Sequence, residues 1–339
     1  MRRGVRKARR VGTFLCSSLI LFILLSKTAH RTSSQTHSKF CEREWLGSFG
    51  KNAGSEHCVY HAAISHCHSD LSWLEQELRQ VRCELKSVTI YSKCDVQPYV
   101  NFSLDFASNV ELSFVKLANV GRCDHTYAYH MAQISLDGQV KADEVVLFLK
   151  DTRDVHQPGY RRDLSEVVQI SRGPARFGCG LVPAAEHGFK FANISIWHST
   201  KQLSKFKIHR YTRGVYRDSN QNAPGDFRFP HGNFQTWSEN LGIHLRSRKV
   251  TPVCYGGTFA TVGQQIYTRG TAFWLGVVHS LERGNSIEEG HFMERVWAHT
   301  LLYRTDQLSD EVILRHAQHT IMRGYRGLQG TLYGCRQAN

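Results

Sequence analysis

The chain has 339 residues, 41% of them hydrophobic, and its seven prolines come with no low-complexity run, which excludes a disordered protein and leaves one large core or two modest ones. A formal charge of +14 points first to nucleic acid, yet nine Lys/Arg and no acid lie in residues 1–39, leaving +5 for everything beyond. The basicity belongs to the N-terminus, so no nucleic-acid partner is expected.

In chain order, six basic residues from Arg2 to Arg10 precede an uncharged, mostly apolar run, Val11–Ser26, closed by Lys27. Sixteen residues make about 24 Å of helix, slightly short of a usual span. Cleavage after Ala29 would put Lys27 where a small residue is wanted, so a retained signal anchor is expected and a cleaved signal is the alternative. The positive-inside rule then makes the body lumenal, with the membrane met through this single N-terminal transmembrane helix. The expected organisation is a basic cytosolic tail (1–10), an anchor (11–26), a polar stalk (27–56), a folded domain (57–323) and a Gly-rich basic tail (324–339). Beyond Cys16 in the anchor lie nine scattered cysteines with no CxxC pair, which predicts several disulfides, at least one odd thiol and no structural zinc site. The sequons at Asn101 and Asn193 are compatible with an oxidising lumen.

The folded domain opens with a β-rich run, Cys58–Ser65, that ends in the polar cluster Ser65–Asp70. A helix is expected over Leu71–Val81, capped by Asp70 or Ser69 and carrying a Ser72/Glu75 capping box. Strands follow at Ser87–Ser92 and Glu111–Leu117, then a helix at Asp124–Ile134 and the fully apolar strand Val145–Leu149. This alternation predicts an α/β sheet of mainly parallel strands flanked by helices, with ligands beyond the strands' carboxyl ends. Farther on, Val250–Ala260 reads as a strand, and helices are expected at Gln264–Arg269, Phe273–Glu282, Glu289–Tyr303 and Asp310–Met322.

Three clusters carry candidate chemistry. Asp151-Thr152-Arg153-Asp154, just past the most apolar strand, offers short carboxylates for a divalent cation if a turn converges Asp151 with Asp154; a solvated loop with a helix cap is the plain alternative. In Glu288-Glu289-Gly290-His291 and Glu294, one glutamate can act as a base and His291 as a metal ligand or phosphate contact, whereas acids at a helix start are also favoured by the helix dipole. Gly121-Arg122 at a helix start can grip phosphate, and Gly256-Gly257 allows close backbone approach. The 19 histidines form no HExxH pattern.

Six blocks together resemble a family known mainly as a domain of unknown function, common in fungi and protists and grouped with GT-A-type glycosyltransferases. They are Ser69-Asp70-Leu71-Ser72-Trp73-Leu74, Ile90-Tyr91-Ser92-Lys93, Asn119-Val120-Gly121-Arg122 with His125-Thr126-Tyr127, Val146-Leu147-Phe148-Leu149, Val253–Ala260 and Glu288–Ala298. They span roughly residues 57–303. The chain departs from the family at His66-Cys67-His68, where it has an Arg-Tyr-Asn-like run, and at Cys123, where it has an acid beside Asp124. The resemblance implies a GT-A-like fold and a metal-dependent, lumenal glycosyltransferase of the Golgi membrane, with the endoplasmic reticulum as the other location. It would take a nucleotide-sugar donor and a glycan or glycoprotein acceptor. In that reading Asp151, Asp154 and His291 hold Mn²⁺, and Asp70, Tyr91, Arg122, Gly256 and Gly257 line the nucleotide. Glu289 is then the base, with Glu288 and Glu294 as its neighbours. Two alternatives stand beside it: a catalytically silent GT-A-like glycan-binding or scaffold protein, and a metal-dependent hydrolase.

Overall fold

The computed structural model describes residues 57–152, 162–173, 175–180, 189–191, 194–197, 227–245 and 251–302. The expected anchor, stalk, C-terminal helix and tail lie outside these residues, as do Asp154 and Asn193. Among the described residues, no helix is long and apolar enough to cross a membrane.

Strands β1 (Val59–His66), β2 (Glu84–Ser92), β3 (Glu111–Lys116) and β4 (Val145–Lys150) pair in parallel, in the order β3-β2-β1-β4. Two further strands, β9 (Phe259–Val262) and β5 (Phe177–Cys179), extend the sheet antiparallel, β9 against β4 and β5 against β9. The sheet is therefore mixed, a Rossmann-like α/β arrangement. A three-stranded antiparallel sheet joins β6 (Phe189–Phe191), β7 (Ile194–Trp197) and β8 (Thr251–Val253). The run read as one strand over 250–260 is thus two, in different sheets. Gly256 and Gly257, at φ 91° and 71°, turn the corner between them.

Side chains alternate along each strand, so β1 serves two layers. Tyr60, Ala62 and Ile64 join Val88, Ile90, Val145, Leu147 and Leu149 against helices α1 (Leu74–Arg79) and α4 (Leu164–Arg172). The opposite face meets α3 (Arg122–Asp137), where Ser65 Oγ and Thr126 Oγ1 are 3.1 Å apart and Tyr127 packs on Phe148 and Phe259. Behind them the C-terminal helices α6 (Gly263–Arg269), α7 (Thr271–Ser280), α8 (Glu288–Glu294) and α9 (Trp297–Leu301) bring Trp274 and Trp297 into the same aromatic cluster. Such ring pairs each add about 0.5–1.5 kcal/mol beyond area burial.

Several helix ends differ from expectation. Asp70 spends its carboxylate on the Ser72 N–H and hydroxyl, closing a local turn, so α1 starts only at Leu74. Glu75 makes no capping box; it accepts from the Ser103 N–H and hydroxyl instead. Ser103 in turn caps an unanticipated helix, α2 (Leu104–Asn109), accepting from the Phe106 N–H. Helix α3 starts before Asp124, at a left-handed Gly121 (φ 57°) where a Cβ would fall 2.6 Å from the Leu281 carbonyl oxygen. The helix expected over 289–303 breaks at Arg295-Val296, whose N–H groups bond three residues back. A short helix, α5 (Phe234–Asn240), capped by Asn233, completes the set.

Candidate functional site

Strands β2 and β3 continue to one side of β1 and β4 lies on the other, so the strand order reverses between β1 and β4, and the crevice beyond that point is where open α/β sheets bind ligands. There β1 ends at His66 and turns through Cys67-His68-Ser69, while β2 ends at Ser92 and continues to Lys93 and Cys94. Residues 66 and 92 are register partners, and the Lys93 N–H donates to the His66 carbonyl at 3.0 Å, so Cys67 and Cys94 face each other. Their sulfurs are bonded, with Cα atoms 4.9 Å apart. The His68 imidazole joins them, and the three donor atoms lie within 4.8 Å of one another. His68 is exposed and the two cysteines half-buried, so the group is open to solvent.

Asp151 fixes this loop. Its Oδ2 accepts the consecutive N–H groups of Cys67, His68 and Ser69 at 2.8, 3.1 and 3.1 Å. Its own N–H donates to Ser65 O, which ties β4 to the end of β1. Three convergent backbone N–H groups form an anion-binding nest, filled here by the chain's own carboxylate.

The remaining expected site residues are dispersed and mostly paired. His291 is buried beside Arg122, whose NH1 lies 2.8 Å from Nδ1; burial, then Arg122 and Arg295, push the imidazole down to about 2. Glu289 takes a two-pronged bond from Arg283, both at 2.9 Å. Glu288 accepts from Arg228 NH1 at 2.8 Å and from the Phe229 N–H. Glu294 accepts the Gly256 N–H, and the Gly257 carbonyl accepts from the Tyr127 hydroxyl at 2.6 Å. A Cβ on Gly257 would stand 3.1 Å from Cys123 Sγ. Tyr91 points under α3, its hydroxyl 2.8 Å from His130 Nδ1, and Asp70 is exposed in its turn. Among the described residues Asp151 and His291 share no cluster of three converging ligand atoms, whereas Cys67, His68 and Cys94 do.

That finding overturns the transferase reading, and the Golgi-transferase description falls with it. A cation bridging a sugar diphosphate wants hard oxygen ligands. The group brought together here is an imidazole and two cysteine sulfurs, which as thiolates, once the bond between them is reduced, suit zinc and not Mn²⁺. Comparison with family models, with curated proteins and with solved structures finds no match for the chain.

Beside the crevice Lys93 and Asp124 are buried, which their setting in the sequence did not show. The Lys93 ammonium donates to the carbonyls of Val120 and Arg122, and burial pushes it down to about 8. Asp124, at the expected start of α3, is inside; burial pushes its carboxyl up to about 6 although Trp297 Nε1 donates to it at 2.7 Å. The free thiol of Cys123 is pushed up to about 12 by burial, so it is a poor nucleophile. The ligand group itself left two signals: the His66-Cys67-His68 spacing, and cysteines one and two residues beyond the ends of adjacent strands.

Proposed function

We propose that the carboxyl edge of the sheet is a metal site of hydrolytic type, held by Cys67, His68 and Cys94. One observation carries the reading: three donors from two neighbouring strand ends converge within 4.8 Å beside the crossover point. Two thiolates and one imidazole fill three corners of a tetrahedral zinc site and leave the fourth for water, whose pKa such a cation brings to about 7. Asp151 is the positioning residue, because its three N–H contacts hold the backbone of two ligands. The sulfurs bind a cation only as thiolates. Loading therefore follows transfer of two electrons and two protons from a dithiol to the Cys67–Cys94 bond, and metal binding then releases the thiol protons.

The Cys58–Cys83 and Cys179–Cys254 disulfides support an oxidising compartment for the domain. The parallel β3-β2-β1-β4 order continued by antiparallel β9 supports a GT-A-like architecture, as a proposal about fold alone.

The test uses the full chain, reduced at the Cys67–Cys94 disulfide, loaded with Zn²⁺ and desalted. About one zinc per chain should remain, none in Cys94→Ser, and an activated phosphodiester should be hydrolysed in a chelator-sensitive way that zinc restores. A reduced protein that retains no zinc refutes the site; retained zinc without hydrolysis refutes the activity.

A further inference from the structure

At the opposite, amino-terminal edge of the sheet a second constellation stands apart from the crevice. His61 of β1 and Ser87 of β2 are register partners, and His61 Nδ1 lies 2.7 Å from Ser87 Oγ. The other ring nitrogen, Nε2, lies 3.1 Å from Oε2 of Glu144, the residue before β4. The register of β1 against β2 shifts at this point, with Lys86 as the extra residue of β2 just before Ser87, an irregularity of the kind found beside working sites.

The protons on this trio follow from its chemistry. Glu144 is nearly buried; although burial works against its charge, the Lys141 N–H, His61 and Lys86 hold its carboxyl below the usual range, so it is ionised at neutral pH. A carboxylate only accepts, so His61 Nε2 carries the hydrogen and Nδ1 presents a lone pair. The Ser87 hydroxyl is then the donor, aimed at a base. Burial lowers the His61 pKa against the pull of Glu144, which keeps the ring neutral and its Nδ1 lone pair free to take a proton. Nucleophile, base and orienting carboxylate thus stand in hydrogen-bonded order, the signature of an activated serine. Ser87 is half-buried, and its register partner on the next strand, Glu111, is exposed on edge strand β3.

We infer that Ser87, His61 and Glu144 form a nucleophilic triad that accepts an acyl group from a small ester at the amino-terminal edge of the sheet. Ser87 Oγ bonds to the ester carbonyl carbon while its proton passes to His61 Nδ1. The bond from that carbon to the alcohol oxygen breaks, and His61 returns the proton to the leaving alcohol. Water then attacks the acyl-serine with His61 as base, releasing the acid and restoring Ser87. No metal enters these steps.

An alkyl fluorophosphonate tests this on the folded full chain, because attack by Ser87 forms an O–P bond and expels fluoride. Peptide mass spectrometry should find the adduct on Ser87, with no adduct there in Ser87→Ala or in unfolded wild-type chain. His61→Gln should slow labelling about 10²–10⁴-fold. Glu144→Gln, which keeps a hydrogen-bonding group but not the charge, should slow it at least tenfold and serves as the second variant should His61→Gln fail to fold. Labelling and p-nitrophenyl acetate hydrolysis in the wild type should both persist in chelator. A trio that is merely structural keeps its bonds and does not react. Absence of a Ser87 adduct in folded wild-type protein overturns the inference, as does labelling that is equally fast in Glu144→Gln or that stops with chelator.

Discussion

The two faces of the main sheet are built on opposite principles. Against α1 and α4 the strands show Tyr60, Ala62, Ile64, Val88, Ile90, Leu147 and Leu149, and Tyr60 hides its hydroxyl by donating to the Leu78 carbonyl at 2.7 Å. Against α3 the same strands show His61, Ser65, Ser87 and Tyr91, and the helix answers with Thr126 and His130. The first face needs only area and fit, since every buried apolar group contributes. The second needs a partner for every polar atom, and His125 Nδ1 and His130 Nε2 are buried without one, each at a cost of about 1–3 kcal/mol. The α3 face adds these polar pairs to the aromatic packing of Phe148 and Phe259 against Tyr127 and Trp297, and the sheet's chemistry sits at its edges.

The comparison breaks first if the dry face proves tolerant. Leu147→Ala removes a fully buried side chain from the middle of the central strand and should cost about 3–5 kcal/mol in urea unfolding, with the slope of the transition unchanged. A loss below about 1 kcal/mol would mean that this layer closes over the cavity and is less tightly packed than its burial implies.

Next in size is the buried acid at the start of α3. The Asp124 carboxyl titrates near 6 in the fold against 3.8 in the open chain, so the native state holds the extra proton between those values. Its protonated form is favoured by folding; that advantage is complete below pH 4 and is lost as pH rises through 6, an effect of about 3 kcal/mol. Asp124→Asn keeps an acceptor for Trp297 and carries no charge. At pH 8 the variant should be more stable than the wild type by up to about 3 kcal/mol, and at pH 4 the two should melt together. A gap that stays constant from pH 4 to 8 would show that Asp124 does not carry the buried proton.

The dry face was the legible one. Val145–Leu149 announced a strand covered on both sides, and periodicity found β1, β2, β3 and α3 to within a few residues. The edges were not legible, because the residues that meet there are distant in the chain. Cys67 reaches Cys94, Asp151 reaches back to Cys67, and Glu144 reaches His61 only after three strands align. Glu288 and Glu289 were correctly placed at a helix start. Spacing could not show that Arg228 and Arg283, from outside that helix, would take them. Nor did the single apolar run at 250–260 reveal that two left-handed glycines divide it between sheets.

That pairing makes Glu289 a smaller but sharper test. Glu289→Gln leaves the Arg283 guanidinium, itself partly exposed, without its carboxylate, and should cost about 2 kcal/mol of stability. Zinc retention at Cys67, His68 and Cys94 should not change. A variant as stable as the wild type would mean that solvent already screens the pair.

The finest test is on the polar face itself. Ser65 and Thr126 are buried, and their hydroxyls lie 3.1 Å apart between β1 and α3. Removing one hydroxyl strands the other away from water, so Ser65→Ala or Thr126→Val should each cost about 1–2 kcal/mol. Removing both leaves an apolar contact of nearly the same shape, and the double variant should fall within about 0.5 kcal/mol of the wild type. The cycle would then give a coupling of roughly 2 kcal/mol, read from urea midpoints at constant slope. On the dry face the same arithmetic runs the other way, because two truncations there deepen one cavity and their costs add or exceed addition. Additive losses at Ser65 and Thr126 would mean that the two hydroxyls act as space-filling groups and that this face, too, is held by packing. A double variant that recovers the stability lost by either single one would show that the polar face is held by pairing.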